Sequence, residues 1–496
     1  MDFKFSKSHL YRLSAFIIGA LMPLSYAPYH YYILAILIIT ILFYLWTLAS
    51  TARESFIIGY LFGLGFFGVG VNWLHISINL FGGVNLYGAI FFTYCLVAFI
   101  SVYPALCGYL ARRFFNKYHM LSLAPLWLIT EWCRGWFLTG FPWLNLGTSQ
   151  TDSPLSVYAP LLGDYGISFI ICLIAASVLQ FINGTKKSRI VSTSVLVILC
   201  LTPLFIDNIS WTREKTERLN VALIQGAIPQ ELKWKTESRQ KTYDIYSTLS
   251  DTYWSGDLII WPETAIPSLY HLADDFIDNI KNRMQDENAM FMSGIAYKNL
   301  DSNKYFNSVL LIDDKDRFYH KHHLVPFGEY LPLEPILGAL LHFLKIPMSD
   351  FSSGKFDEKL FSTDKGIFGM SICYEDAYAT EIRQSLPTAN ILINVSNDAW
   401  FGDSLAPHQH LQIARMRALE SGRYMLRATN TGISAIIDET GQIVTQSPQF
   451  EPHALSGEVK LFEGNTPFSF YGNYVVLFIS LIILLITYYL QRRIKN

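Results

Sequence analysis

Ile367-Phe368-Gly369-Met370-Ser371-Ile372-Cys373-Tyr374-Glu375 is an apolar, strand-like run that ends on a cysteine and then turns polar. Strand ends are where α/β folds place catalytic groups. Of the six cysteines, only Cys373 lies outside the strongly apolar segments. Cys95, Cys107, Cys133, Cys172 and Cys200 fall in stretches that read as membrane helices. A lone thiol in the polar region has no partner for an intradomain disulfide. In an oxidising compartment it is a liability unless its reactivity is used.

Outward from this run, from about Leu219, short β-rich segments alternate with helical ones. Strands are predicted at Asn220–Gln225, Leu258–Trp261, Ala289–Ala296, Ser308–Ile312, Ile367–Cys373, Ile391–Val395 and Ile433–Ile437. Helices are predicted at 236–254, 271–286, 376–386 and 407–425. Asp438-Glu439-Thr440-Gly441 reads as a turn between two strands. The alternation predicts an α/β domain with a buried sheet flanked by helices.

The remainder is a different solvent problem. The chain of 496 residues is 51% hydrophobic and only 16% charged. Its apolar segments cluster at the two ends, with spans expected at about 11–27, 33–50, 56–74, 87–109, 120–136, 164–183, 189–206 and 474–490. Most approach the ~20 apolar residues needed to cross a bilayer core. The first is short and carries Pro23, but no clear small-x-small cleavage site follows it, so it reads as a span rather than a cleaved signal.

The charges test the assignment. One set of loops and tails carries Lys4, Lys7, Arg12, Arg53, Arg112, Arg113, Lys117, Lys186, Lys187, Arg189, Arg492, Arg493 and Lys495. The opposite short loops (28–32, 75–86 and 137–163) carry no Lys or Arg, and Arg134 lies just inside a span end. This is a positive-inside pattern. It predicts eight spans with both termini cytoplasmic. Residues 1–206 form a membrane bundle of seven spans, 207–473 an extracytoplasmic domain, and 474–496 the final span and cytoplasmic tail. A formal net charge of -2 argues against a nucleic-acid partner.

Leu331–Pro347 is nearly all apolar between polar flanks and is too short and proline-broken to span. It reads either as a core helix or as an arm lying on the membrane face over an acyl-chain site. Phe141-Pro142-Trp143 reads as a rigid outer-face turn.

Three apolar runs end in a reactive group. Ile260-Trp261-Pro262-Glu263 delivers a carboxylate, Tyr319-His320-Lys321 an ammonium, and the opening run Cys373. A cysteine needs a base to become a thiolate, and Glu263 can serve. The tetrahedral intermediate of acyl transfer needs a donor at its oxygen, and Lys321 can supply it. Glu329 can orient that lysine or bind a substrate amine. Singly, Glu263 also reads as a surface acid and Lys321 as a solvated base. His320, His322, His323, His408 and His410 form no zinc signature and read as structural or solvated, so no metal or other cofactor is expected.

The order of the three groups, with Pro326-Phe327-Gly328-Glu329 between the last two, resembles the nitrilase (carbon–nitrogen hydrolase) superfamily. Further stretches make the whole chain similar to its membrane-embedded branch, the apolipoprotein N-acyltransferases. These are Gly226-Ala227-Ile228-Pro229-Gln230 with Lys233-Trp234, Asn394 to Gly402, His408-Gln409-His410 with Arg415-Met416-Arg417-Ala418, and Gly140-Phe141-Pro142-Trp143. The resemblance implies an αββα sandwich beside the membrane bundle in a bacterial inner membrane, with the catalytic domain in the periplasm. It implies Cys373 as nucleophile, Glu263 as general base and Lys321 as oxyanion stabiliser. Glu329, Tyr374 and Glu375 would be supporting residues, and Trp234 a substrate-binding residue on a loop over the site. The implied reaction moves a fatty acyl chain from a phospholipid, mostly phosphatidylethanolamine, through an enzyme thioester. The acceptor is the α-amine of a diacylglyceryl-cysteine apolipoprotein.

The residues alone leave other readings open. Trp234 is also a plausible anchor at a bilayer interface. A membrane-tethered amidase acting on a small amide would use the same three groups. A transporter or scaffold with a dead enzyme domain would call for buried ionisable residues in the spans, and only Glu131, Arg134 and Asp164 come near this.

Overall fold

The computed structural model describes residues 7–116, 119–206, 209–285, 289–330 and 350–493. The apolar arm expected at Leu331–Pro347 lies outside these residues. The chain divides into two units. One comprises Met1–His75, Leu86–Ser210 and Tyr471–Asn496, the other Ile76–Asn85 and Trp211–Phe470.

The first unit is helical. Among the described residues, five helices are long and apolar enough to cross a membrane: Ala52–Gly70, Leu86–Phe114, Pro154–Asn183, Lys186–Ile206 and Tyr474–Arg493. Lys7–Leu21, Ile33–Leu48 and His119–Arg134 are shorter. The first ends earlier than the expected span, because a 3-10 turn containing Pro23 follows at Met22–Ser25. Helix contacts rely on small residues, as suits a solvent that offers little hydrophobic drive between helices. A methyl added at Gly19 would lie 2.1 Å from the Phe62 carbonyl oxygen, so Lys7–Leu21 and Ala52–Gly70 meet backbone to backbone.

The ionisable residues noted near the spans are spent on structure. Arg134 donates to the carbonyls of Phe141 and Trp143, each at 2.6 Å, and to Asn145 at 2.8 Å. Asn145 in turn donates to Asp164 at 2.9 Å, and Glu131 accepts from the Leu146 amide at 2.8 Å. The 137–151 segment is thereby tied down around buried charges.

The second unit has twelve strands among the described residues. They are β1 (Thr212–Gln225), β2 (Leu258–Leu269), β3 (Met290–Asn299), β4 (Lys304–Ile312), β5 (Asp316–His320), β6 (Leu360–Thr363), β7 (Gly366–Ile372), β8 (Ile391–Ser396), β9 (Met425–Thr429), β10 (Ala435–Ile437), β11 (Ile443–Gln446) and β12 (His453–Gly464). They form two six-stranded sheets, ordered β12-β1-β2-β3-β4-β5 and β11-β10-β9-β8-β7-β6. The Asp438–Gly441 turn joins β10 to β11 as expected.

Strand alternation sorts the side chains into layers. Leu258 and Ile260 of β2 join Leu223, Met292 and Val309 in a core shared with Met370, Ile372, Ile393 and Leu426 of the other sheet. Ile259 and Trp261 point the other way, against Tyr246, Ile277 and Ile280 from helices Thr236–Ser250 and Asp274–Gln285. On the far sheet, Leu392, Met425 and Ala435 pack against Leu411, Ala414 and Ala418 of helix Ala406–Ser421. Two packed sheets each carry helices on the outer face. The alternation of apolar runs by itself reads as one buried sheet, because several edge and polar strands escape it, whereas the αββα sandwich implied by the resemblance has the two sheets found here.

The segment Ile76–Asn85, read from sequence as part of a short loop between spans, belongs to this second unit. Ser77 Oγ donates to the Trp400 carbonyl, and the Phe81 and Trp400 rings meet edge to face with centroids 4.9 Å apart.

Candidate active site

Glu263 lies where β2 breaks its regular pairing with β3, in the interval between Trp261 and Ile266. The cause is a large anchor followed by a proline. Trp261 is fully buried, stacks on Tyr246 and donates its indole N–H to Ser250 at 2.9 Å. Pro262 then carries no N–H for the ladder. Across from the break, Gly294 lets the chain come close: a Cβ there would lie 2.5 Å from Glu263 Cα. Glu263 Oε1 accepts from Asn307 Nδ2 at 2.7 Å. Its Oε2 is buried and has no hydrogen-bond partner among the described residues.

Lys321 leaves the end of β5 and is almost fully buried. Nζ lies 3.0 Å and 2.9 Å from the two oxygens of Glu329 and 3.8 Å from Glu263 Oε1. Burial opposes its charge, but the carboxylates of Glu329 and Glu263 outweigh that and hold the ammonium well above its ordinary range. Glu329 is itself fixed by the Val325 amide at 2.8 Å and by Asn307 Nδ2 at 2.8 Å. One amide group of Asn307 thus spaces both carboxylates.

Cys373 follows the last residue of β7 and opens the turn Cys373–Ala377 with φ +52°. A non-glycine residue there costs on the order of 1–3 kcal/mol and persists only when its surroundings hold it. The holding groups are visible. The Cys373 carbonyl accepts from Asn394 Nδ2 at 3.2 Å and lies 3.3 Å from His410 Nε2. His410 bridges Asp376 at 2.9 Å and Asp398 at 3.0 Å. Arg427 closes the ring, reaching Asp376 at 3.1 Å and Asp398 at 2.9 Å. Glu375, fully buried, accepts four hydrogen bonds: from the amides of Ile372, His322 and His323 and from the Tyr319 hydroxyl. It therefore ties the segment after Lys321 to the Cys373 turn. Tyr374 is half-buried, edge to face with Tyr378 at 5.1 Å.

Burial pushes the Cys373 thiol up, the Glu263 carboxylate pushes it further, and the Lys321 ammonium pulls it back. The sulfur thus lies within electrostatic reach of both groups. The structure thus gathers Cys373, Glu263, Lys321 and Glu329, with Glu375 as the tie between two of their loops. Trp234 sits 38% exposed on the segment that follows β1, immediately after Lys233, whose Nζ donates to the Glu263 carbonyl at 2.8 Å.

Sequence reasoning missed Asn307, Asp376 and Arg427. It noted Asn394, Asp398 and His410 only within stretches that carry the resemblance, with no role for any of them. Asn307 lies within a strand and Arg427 just beyond the stretch 407–425 that reads as a helix, so no local signal marks them. Only the pairing of β8 with β7 and β9 brings Asn394 and Arg427 to the cysteine turn.

The comparisons with known proteins agree in family. A model of the apolipoprotein N-acyltransferase N-terminal domain matches residues 18–177, and a carbon–nitrogen hydrolase model matches residues 220–463. An apolipoprotein N-acyltransferase of Methylococcus capsulatus is 39% identical over 462 residues, covering 92% of this chain and 91% of its own. Those of Photobacterium profundum (38%, covering 96% and 94%) and Vibrio cholerae (39%, covering 93% of each) are similarly related.

Proposed function

The chain belongs to the apolipoprotein N-acyltransferase family, and from that premise we propose how its residues carry out the N-acylation of lipoproteins. The donor is a phospholipid, phosphatidylethanolamine in the first place. The acceptor is the N-terminal α-amine of a diacylglyceryl-cysteine lipoprotein. Transfer is ping-pong through a thioester on Cys373.

In the first half-reaction Glu263 Oε2 takes the thiol proton as sulfur attacks the ester carbonyl carbon. Negative charge gathers on the former carbonyl oxygen, where the Lys321 ammonium stabilises it. The carbon–oxygen bond to glycerol then breaks, and Glu263 returns its proton to the departing oxygen. In the second half-reaction the lipoprotein amine attacks the thioester and Glu263 accepts its proton. The carbon–sulfur bond breaks and the proton goes back to sulfur. Glu329 fixes Lys321, Glu375 and Tyr374 shape the turn, and Trp234 contacts substrate.

The observation that carries this reading is the buried Oε2 of Glu263, with no hydrogen-bond partner among the described residues, within electrostatic reach of a cysteine held at positive φ. An acid placed to receive one proton and give it back suits two successive acyl transfers. The charge asymmetry of the short loops supports eight spans with cytoplasmic termini. On that reading 1–206 and 474–496 are the membrane part, and 207–473 is a periplasmic catalytic domain on a bacterial inner membrane.

The test is transfer of a labelled acyl chain from phosphatidylethanolamine vesicles to a diacylglyceryl-cysteine peptide. The full-length enzyme is expected to label the peptide amine, and Cys373→Ala, equally stable, is expected to label nothing. Hydrolysis of small amides with no acyl transfer would favour the tethered-amidase reading instead.

A further inference from the structure

Strand β1 ends at Gln225, yet Gly226 and Ile228 beyond it stay buried, so their backbone polar groups need partners outside the sheet ladder. Asn430, the fully buried residue that follows β9, supplies them. Its carbonyl accepts from the Ala227 amide at 2.9 Å. Its side chain then treats Ile228 as a neighbouring strand would. Oδ1 accepts from the Ile228 amide at 2.9 Å, and Nδ2 donates to the Ile228 carbonyl at 2.7 Å. Oδ1 also accepts from the Tyr246 hydroxyl at 3.3 Å, and Nδ2 also donates to Asn397 Oδ1 at 3.1 Å. A carboxamide offers two acceptor positions and two donor hydrogens, and here all of them are used. An aspartate of the same shape would set acceptor against acceptor at both Ile228 and Asn397.

This clamp lies at the root of the segment that reaches the site. Ala227 sits at φ +50°, a left-handed conformation that a non-glycine residue keeps only where its neighbours fix it. Asn397, held by Asn430, donates in turn to Gln230 Oε1 at 2.7 Å. Gln230 opens the short helix Gln230–Lys233. At its far end Lys233, 2% exposed between exposed neighbours, donates to the Glu263 carbonyl at 2.8 Å, and Trp234 follows. The segment is therefore fixed at its root by two carboxamides and at its tip by the main chain of Glu263. Asn430 touches neither Glu263, Lys321 nor Cys373, so whatever it does for the reaction passes through this segment.

We propose that Asn430 is a positioning residue for the acyl donor: its side chain clamps Ala227–Gln230 and thereby sets where Trp234 meets the phospholipid. The inference rests on the reading above that Trp234 contacts substrate.

The experiment uses the full-length, detergent-solubilised enzyme and Asn430→Asp, which keeps the shape of the side chain and removes its two donors. Trypsin reports on the segment, because Lys233 is buried and cleavage after it requires local release. That cleavage, read by mass analysis, is expected to be about tenfold faster than in the wild type, the scale of a lost buried hydrogen bond, with sites outside 226–236 cut at wild-type rates. With vesicles of phosphatidylethanolamine, KM should rise about tenfold and kcat stay within about twofold, as when binding common to ground and transition states is lost. A merely structural asparagine gives either unchanged cleavage after Lys233 or faster cleavage at all sites together, and each result overturns the proposal. A fall in kcat at unchanged KM overturns it as well. Cleavage needs no lipid turnover, so a wild-type enzyme that transfers no acyl chain would sink the function reading while cleavage still decides the clamp. If Asn430→Asp fails to fold, Gln230→Ala decides, since it cuts only the end of the relay at a half-exposed position. Cleavage after Lys233 should then be about threefold faster, whereas an unchanged rate overturns the proposal.

Discussion

Two buried clusters of charge flank Cys373, and they differ in how completely their carboxylates are satisfied. Behind the turn, all four carboxylate oxygens of Asp376 and Asp398 have partners in His410 and Arg427. On the other side Glu263 has one oxygen on Asn307 and one with no partner among the described residues. Both clusters are built from ordinary acids and bases. The saturated one can do nothing but hold, because any proton movement within it breaks a bond. The unsaturated one has an acceptor left over, and that spare acceptor is what chemistry uses.

The sharpest way to break this contrast is to treat the two clusters alike. Glu263→Gln keeps the size of the side chain but removes its basicity. It should slow thioester formation by about 10²–10⁴-fold while leaving thermal unfolding nearly unchanged. Rapid acylation of Cys373 in that variant would remove Glu263 from the mechanism. Arg427→Met should do the reverse in kind, because it leaves Asp376 and Asp398 buried without their cation. A loss of about 3–5 kcal/mol in unfolding free energy is expected. Unchanged stability would mean that the rear cluster is not a scaffold.

Asn307 spans the boundary between holding and reacting. Asn307→Ala frees Glu263 and Glu329 from their shared donor, and about a tenfold fall in acyl transfer is expected at near-native stability, the scale of one charge-assisted hydrogen bond. Wild-type rates there would show that the carboxylates keep their spacing without it.

The smallest effect is the pH dependence of stability in the rear cluster. Burial and Arg427 lower His410, but Asp376 and Asp398 outweigh them and raise it. Its contribution is therefore full below about pH 6.5 and is lost as pH climbs through the raised value. Burial raises Asp398, but Arg427 and His410 outweigh this and hold it far below the carboxylate range. Its contribution is present above about pH 3.9 and is lost only on strong acidification. Thermal unfolding from pH 3 to 9 should show a plateau that declines on the alkaline side, and His410→Gln should flatten that alkaline decline.

The contrast also explains what could be read from the sequence. Glu263, Lys321 and Cys373 each close an apolar run, so a strand-end rule locates them without knowing the pairing. Glu329 and Glu375 sit a few residues away and come along with them. The rear cluster has no such signature. Arg427 lies inside β9, where Met425-Leu426-Arg427-Ala428-Thr429 breaks strand alternation with a buried cation and lies at the edge of the stretch 407–425 that reads as a helix. Asn307 is one polar residue in an otherwise ordinary strand, and Lys233 beside an exposed tryptophan looks like a solvated lysine. The edge strand β6 is equally hidden, being four residues long and partly exposed, and β11 is read only through the turn that precedes it. What the sequence conceals is whatever depends on which strands become neighbours.

The central claim is that Cys373 carries the acyl chain between donor and acceptor. Full-length enzyme incubated with phosphatidylethanolamine and no lipoprotein, then digested and weighed, tests it most directly. The Cys373 peptide is expected to gain one fatty acyl group, which hydroxylamine removes. An unmodified Cys373 peptide from enzyme that still acylates lipoprotein would contradict the account.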